Sequence, residues 1–288
     1  MNERLLRFER WLFEEAGEAA ANATAVRELM DCGLDLRTAY AHWLAALGGL
    51  NLDGSQADRL FFHSRLLPSV CPLRVADFRS NPYLQTVRLP DVAVGSAHFE
   101  TMRYAPFEPF PCGDLQLATG DALLAPIGFF DEPYSYPALV QHGCEWMAVK
   151  PNEIRTMEKA IAAARGRVLT FGLGLGYFAF MASQKEEVVD VTVVDDSADV
   201  IALFLRHVLP QFPHVAKVSV TRRDAFRYVV ENGFTTRRGD EADTVFVDLW
   251  HDVGDGLPLY RRMRDLQPAH SRAQFFYWIE DTMKCYEC

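Results

Sequence analysis

With 288 residues, 49% of them hydrophobic and 12% aromatic, the chain can bury at least one large core, as one big domain or two small ones. A formal charge of -10 sets its surface against phosphate backbones unless Lys and Arg gather on one face, which makes nucleic acid a minority reading. The longest apolar runs, Trp43 to Leu47 and Val245 to Trp250, fall far short of the roughly 20 residues of a membrane span, so no span is expected.

At the N-terminus Leu5, Phe8, Trp11 and Leu12 recur at helical spacing. Glu3, Arg4, Arg7, Glu9 and Arg10 interrupt them, which does not suit a secretory leader and points to a cytoplasmic protein. Leu34 to Leu47 repeats the helical pattern after the breaker Cys32-Gly33, and Gly48-Gly49 and Asp53-Gly54 follow as punctuation. A further helix is expected from Gln56 to Leu67, stopping at Pro68, with less regular sequence up to Pro90. Asn81-Pro82-Tyr83 in that stretch reads as a turn. Residues 1–90 are therefore expected to be a helical N-terminal region.

Residues 91–149 read as a small β-hairpin segment, with short apolar stretches at Val92 to Val94, His98 to Tyr104, Leu115 to Ala118 and Ala122 to Leu124. Aromatic and Pro-rich sequence at Tyr104 to Pro111 and Phe129 to Tyr136 suits an ordered wall over a binding site, a packing surface or a homodimer contact.

Over residues 150–288 the rhythm changes to strand then helix. A helix is expected from Asn152 to Ala164, between Pro151 and Gly166. Strands are expected at Arg167 to Phe171, Val188 to Asp195, Val215 to Thr221, Thr244 to Leu249 and Gln274 to Ile279, with helices after the first four. This alternation predicts an α/β fold with a parallel sheet covered on both faces, whose ligand lies beyond the carboxyl ends of the strands.

Chemistry concentrates at those ends. Gly172-Leu173-Gly174-Leu175-Gly176 joins the first strand to a helix, where glycines permit a tight turn and close approach of a ligand to the backbone. Taken alone it is an ordinary tight turn. The second strand ends in Asp195-Asp196, roughly 20 residues further on, where one carboxylate can accept both hydroxyls of a ribose and Asp196 or Ser197 can cap the next helix. Asp224-Ala225 follows the third strand and can hydrogen-bond an adenine. Asp248 ends the fourth, followed by Leu249-Trp250-His251-Asp252. Here Asp248 can orient an ammonium or an acceptor, His251 can take a proton near neutral pH, and Trp250 can wall a pocket or pack in the core. Lys150-Pro-Asn-Glu153 opens the helix leading into the glycine loop, so Lys150 or Glu153 can reach the same rim.

These four strand ends together resemble a class I S-adenosylmethionine-dependent methyltransferase, and within that group the chain is similar to the spermidine-synthase-like branch. Val168 to Gly176 matches the glycine motif, Val191 to Asp195 the ribose-binding acid, Asp224-Ala225 the adenine turn, and Thr244 to Leu249 the fourth strand with its acid near the reacting centre. The resemblance implies a Rossmann-like, doubly wound, mostly parallel sheet of about five strands, shortened at its C-terminal edge. It also implies S-adenosyl-L-methionine as cofactor, held by Gly172, Leu173, Gly174, Gly176, Asp195, Asp196, Asp224, Ala225 and Asp248. Asp248 and His251 are the expected catalytic residues, and a small molecule is the expected acceptor. Many members carry an acid two residues before the first glycine, where this chain has Thr170.

Three alternatives remain at this stage. Aminopropyltransferases resemble one another in an Asp inside the glycine loop, where this chain has Leu175; a nicotinamide fingerprint wants a glycine at Tyr177; and a non-enzymatic module could bind S-adenosylmethionine without turnover. No metal is expected. Of the six cysteines, only Cys285 and Cys288 form a C-x-x-C, half of a structural zinc site.

Overall fold

The strand and helix alternation of the C-terminal half builds one five-stranded sheet: β1 (Gly166–Phe171), β2 (Val188–Asp195), β3 (Val218–Arg222), β4 (Thr244–Val247) and β5 (Gln274–Tyr277). In the computed structural model, which describes residues 3–16, 22–115, 117–118, 121–122 and 124–287, they lie in the order β3-β2-β1-β4-β5 with every neighbouring pair parallel. This is the expected Rossmann-like arrangement. The last four residues of β1 and all four of β4 are buried in succession, as they must be in a sheet covered on both faces. Between β1 and β4 the strand order reverses, and at such a switch point the chain leaves both strands in opposite senses and opens a crevice at their carboxyl ends.

Helices α1 (Pro151–Ala163), α2 (Tyr177–Ser183), α3 (Ala198–Leu203), α4 (Ala225–Asn232), α5 (Val253–Asp265) and α6 (Glu280–Cys285) alternate with the strands. Side chains set several of their starts: Ser197 caps α3, Asp224 caps α4, and Asp252 with Asp255 forms a reciprocal capping box on α5. Three strand boundaries differ from expectation by two residues or more. Val215–Lys217 forms a single 3-10 turn with Val215 exposed, so β3 begins only at Val218. After β4 the chain leaves the sheet at Asp248, and after β5 Ile279 takes a left-handed conformation (φ 46°) that ends the extended run.

The described residues divide into two compact units, residues 1–79 with 103–135, and residues 80–102 with 136–288. Besides the parallel sheet, the second holds strands of a four-stranded sheet in the order Ala93–Val94, Ala97–Tyr104, Tyr134–Gln141, Cys144–Ala148. Its first and last pairs are antiparallel hairpins.

The first unit packs helices Ala23–Asp31, Leu36–Leu47 and Gln56–Phe61 around Tyr40, Leu44, Phe62 and Phe129. The fully buried Tyr40 stacks on Phe129 at 3.8 Å and donates its hydroxyl hydrogen to the Phe107 carbonyl at 2.7 Å, so this large aromatic carries no unsatisfied polar group into the core. The helix at Gln56 runs past its expected stop to Ser69, continuing through a π-helical stretch at Phe62–Leu66 and carrying Pro68 in its last turn. Val70–Leu73, in the stretch expected to be irregular, is a strand paired parallel with Ile127–Phe130, which also pairs antiparallel with Phe110–Pro111. Of the two short strands expected around residue 120, Gln116 and Leu123 lie outside the described residues, and Leu117–Ala118 pairs with Asp121–Ala122. Cys288, half of the C-x-x-C, also lies outside them. Among the described residues no helix is long and apolar enough to cross a membrane.

Candidate functional site

Gly172 leaves β1 with φ +95° and donates its N–H to the Val194 carbonyl at 2.9 Å, a conformation that L side chains rarely adopt. The next N–H, of Leu173, points at Oδ2 of Asp195 at 2.9 Å, while Oδ1 of the same carboxylate accepts the Ser197 N–H at 2.8 Å. The acid at the end of β2 thus braces the glycine loop and the start of α3 together. Asn81-Pro82-Tyr83, expected to be a turn, instead opens a short helix, Pro82–Thr86, capped by Asn81, and supports the loop from a second direction: Tyr83 donates its hydroxyl to the Leu175 carbonyl at 2.7 Å, and Asn81 donates from Nδ2 to the Tyr177 hydroxyl at 2.9 Å. Because Tyr83 is buried, Tyr83→Phe strands the Leu175 carbonyl. The expected cost is about 1–3 kcal/mol in urea unfolding; a variant as stable as the parent would show that this brace carries no weight.

Gly172, Asp195, Asp196, Asp224, Ala225 and Asp248 line one cavity of about 280 Å³ at the carboxyl ends of β1 to β4. That is near the lower end of the range for small-ligand sites, roughly 300–1,000 Å³. Asp196 and Asp224 are exposed, and Asp224 spends Oδ1 on the Arg227 N–H at 2.8 Å. Burial pushes the Asp195 carboxyl up from its ordinary range, opposed by the N–H groups of Ser197 and Leu173 and assisted by the neighbouring Asp196.

Asp248 differs from these. No described residue donates a hydrogen bond to its carboxylate, which burial and the nearby charge of Glu153 push well above the usual range. Glu153, on the first turn of α1, is 7% exposed and likewise has no donor among the described residues. Burial raises it to about 7, opposed by the ammonium of Lys150 and assisted by Glu145; Lys150 itself pairs with Glu145. Within β1 the Thr170 hydroxyl is buried without a partner among the described residues.

Leu173, Gly174 and Gly176 shape the loop without lining the cavity. His251 does not line it either: its backbone N–H bonds the Asp255 carboxylate at the start of α5, and its ring, half exposed, lies 3.7 Å from Asp252. Trp250 packs edge to face on Tyr260 in the core, with its indole N–H unpartnered. The cavity gains walls that sequence reasoning passed over: Gln141 and Trp146 from the hairpin, Phe226 from α4 and Leu259 from α5. Trp146 is the plainest omission, because a Trp 45% exposed on the strand Cys144–Ala148 has no core to explain it. Its neighbour Met147 accepts the Leu175 N–H at its sulfur, at 3.0 Å, and so ties the hairpin to the loop.

No family model and no curated protein matches the chain. Among solved structures it is similar to "a putative SAM-dependent methyltransferase from Streptococcus mutans", at 20% identity and a TM-score of 0.33, over 57% of this chain and 39% of that one. The chain therefore spans about two fifths of the solved chain it matches.

Proposed function

We propose that this protein is an S-adenosylmethionine-dependent methyltransferase acting on a small-molecule acceptor, with the cofactor seated in the cavity at the ends of β1 to β4. The observation that carries this reading is the convergence of Gly172, Asp195, Asp224 and Asp248, from four consecutive strand ends, on that one cavity. Asp195 has a second lone pair on each oxygen for ribose hydroxyls, and the Ala225 backbone with Asp224 suits an adenine edge.

Charge separates this reading from a nicotinamide enzyme. Four carboxylates face the cavity against one guanidinium, Arg223, which is already paired with Glu231. Such a site repels a pyrophosphate and favours a ligand bearing a sulfonium and an ammonium. Against aminopropyl transfer, the loop position where that class carries an Asp is the fully buried Leu175.

S-adenosylmethionine, when bound, supplies an activated methyl group for an in-line displacement. The chain's part is alignment, which lowers the barrier by holding the reacting atoms close. Trp146, Leu249 and Leu259 offer apolar surface along the same cavity for an acceptor. Calorimetry of the full chain with S-adenosylmethionine and S-adenosylhomocysteine is expected to show binding of both, weakened at least tenfold by Asp195→Ala, a loss of about 1.4 kcal/mol. No heat with either ligand on folded protein would overturn the assignment.

A further inference from the structure

Across the hairpin that walls the cavity, Ala138 pairs with Ala148, Leu139 with Met147, Val140 with Glu145 and Gln141 with Cys144. Trp146 is opposed by no residue of the other strand: it is the extra residue of a β-bulge, the device by which a strand bends and re-aims one side chain. The hairpin is pinned to the parallel sheet on either side of the bulge. The Met147 sulfur accepts the Leu175 N–H of the glycine loop at 3.0 Å. Gln141 donates from Nε2 to the Ser197 hydroxyl, just after β2, at 3.0 Å and to the Ser96 hydroxyl at 3.3 Å. Ser96 spends its own hydroxyl hydrogen on Asp199 at 3.1 Å, so it can only accept from Gln141, which fixes the direction of that amide. An aromatic ring that lines the cavity, 45% exposed and held from two points, is a preorganised stacking surface.

Those two anchors follow β1 and β2, whereas the Asp224-Ala225 turn suited to an adenine follows β3, at the edge of the sheet. Trp146 is thereby left for the second substrate. The chemistry of the wall narrows that substrate further. Among the described residues, the ionisable groups lining the cavity are four carboxylates and Arg223, which is paired with Glu231. A phenol or an alkylammonium must lose a proton to attack, and carboxylates are ordinarily about six pKa units too weak to take it. Clustered negative charge also holds an alkylamine in its protonated form. A pyridine-type nitrogen of low basicity stays neutral and attacks through an in-plane lone pair while its ring stacks.

Resting on the methyl transfer proposed above, we propose that Trp146 is the platform for the acceptor, and that the acceptor is a planar heteroaromatic molecule methylated at a ring nitrogen. The nitrogen lone pair forms the new N–CH3 bond, the S–CH3 bond breaks with its electron pair left on sulfur, and positive charge passes from the sulfonium to the ring. No proton moves, and the carboxylates face one cation before and after the step.

The test uses the full chain and follows labelled methyl from S-adenosylmethionine into three probes of similar size: isoquinoline, 2-naphthol and decahydroisoquinoline. Isoquinoline alone is expected to be methylated, to its N-methyl cation. Trp146→Ala is expected to lower kcat/KM for isoquinoline about tenfold, mainly through KM, and Trp146→Phe to restore most of it. S-adenosylhomocysteine is expected to bind both variants as it binds the parent, which also reports that they fold. Isoquinoline left unmethylated, or either other probe methylated as well, would overturn the ring-nitrogen acceptor and leave the adenosyl site standing. Unchanged kcat/KM in Trp146→Ala, or weakened S-adenosylhomocysteine, would overturn the role of Trp146, the latter because the ring would then be stacking on the cofactor. Failure of S-adenosylhomocysteine to bind the parent protein would overturn both proposals.

Discussion

Gly172→Ala is expected to cost about 2–5 kcal/mol of stability and to abolish adenosyl binding. Two effects add. An L side chain at φ +95° pays roughly 1–2 kcal/mol for the left-handed region. The new Cβ also points at the main-chain carbonyl of Asp248, and overpacking of that kind costs roughly 1–3 kcal/mol. The obstacle cannot swing aside as a side chain can. Asp248 donates its N–H to the Phe171 carbonyl at 2.9 Å, so the ends of β1 and β4 are tied to each other right beside the clash. Gly174→Ala supplies the contrast: its Cβ would meet the Met147 side chain, whose flexible end can move. Urea unfolding of the two variants should therefore rank Gly172→Ala as the more damaging. Equal costs would mean that the switch point between β1 and β4 is softer than its hydrogen bonds imply.

Those same local bonds explain what was legible in the sequence. Buried parallel strands announce themselves as unbroken apolar runs, so Val188 to Asp195 was read to the residue and β1 to within one. The glycine loop and the acids after β2, β3 and β4 were legible because each sits one or two residues past such a run. What failed depends on contacts distant in sequence. Val70–Leu73 is a strand only because Ile127–Phe130 lies beside it, and nothing within its own four residues says so. Trp146 and Gln141 reach the cavity through the pairing of two hairpin strands, and Tyr83 meets the loop from more than ninety residues away. His251 shows the converse case, nearness in sequence without a place in the cavity lining. It follows Asp248 closely in sequence, yet the capping box of α5 captures its backbone and turns its ring to solvent. His251→Ala is accordingly expected to leave cofactor affinity unchanged, by the same calorimetry.

Glu153→Gln is expected to raise stability at neutral pH. The sign follows from linkage. Glu153 has an ordinary value of 4.5 and is raised to about 7 in the folded chain by burial, so between these values the folded state holds the proton more tightly than the unfolded state. Stability contributed by the protonated form is complete below about pH 4.5 and is lost as pH rises through about 7. Ionising the carboxyl in place then costs at most about 3 kcal/mol, from 1.36 kcal/mol per pKa unit. Glutamine keeps the shape and cannot ionise, so the variant should match the parent near pH 4 and exceed it increasingly up to pH 8. Asp243, Asp199 and Glu231, held below their ordinary values by hydrogen bonds from Arg167, Ser96 and Arg223, give the opposite slope in acid; they are common to both proteins and cancel in the difference. Urea midpoints measured for parent and variant across this range read the difference directly. A gap that stays flat with pH would mean that Glu153 is already charged in the folded protein at pH 5, and a variant less stable than the parent at pH 8 would mean that its carboxylate is held by the fold itself. With the expected gap, the Glu153 carboxyl is a group whose ionisation the fold opposes by burial.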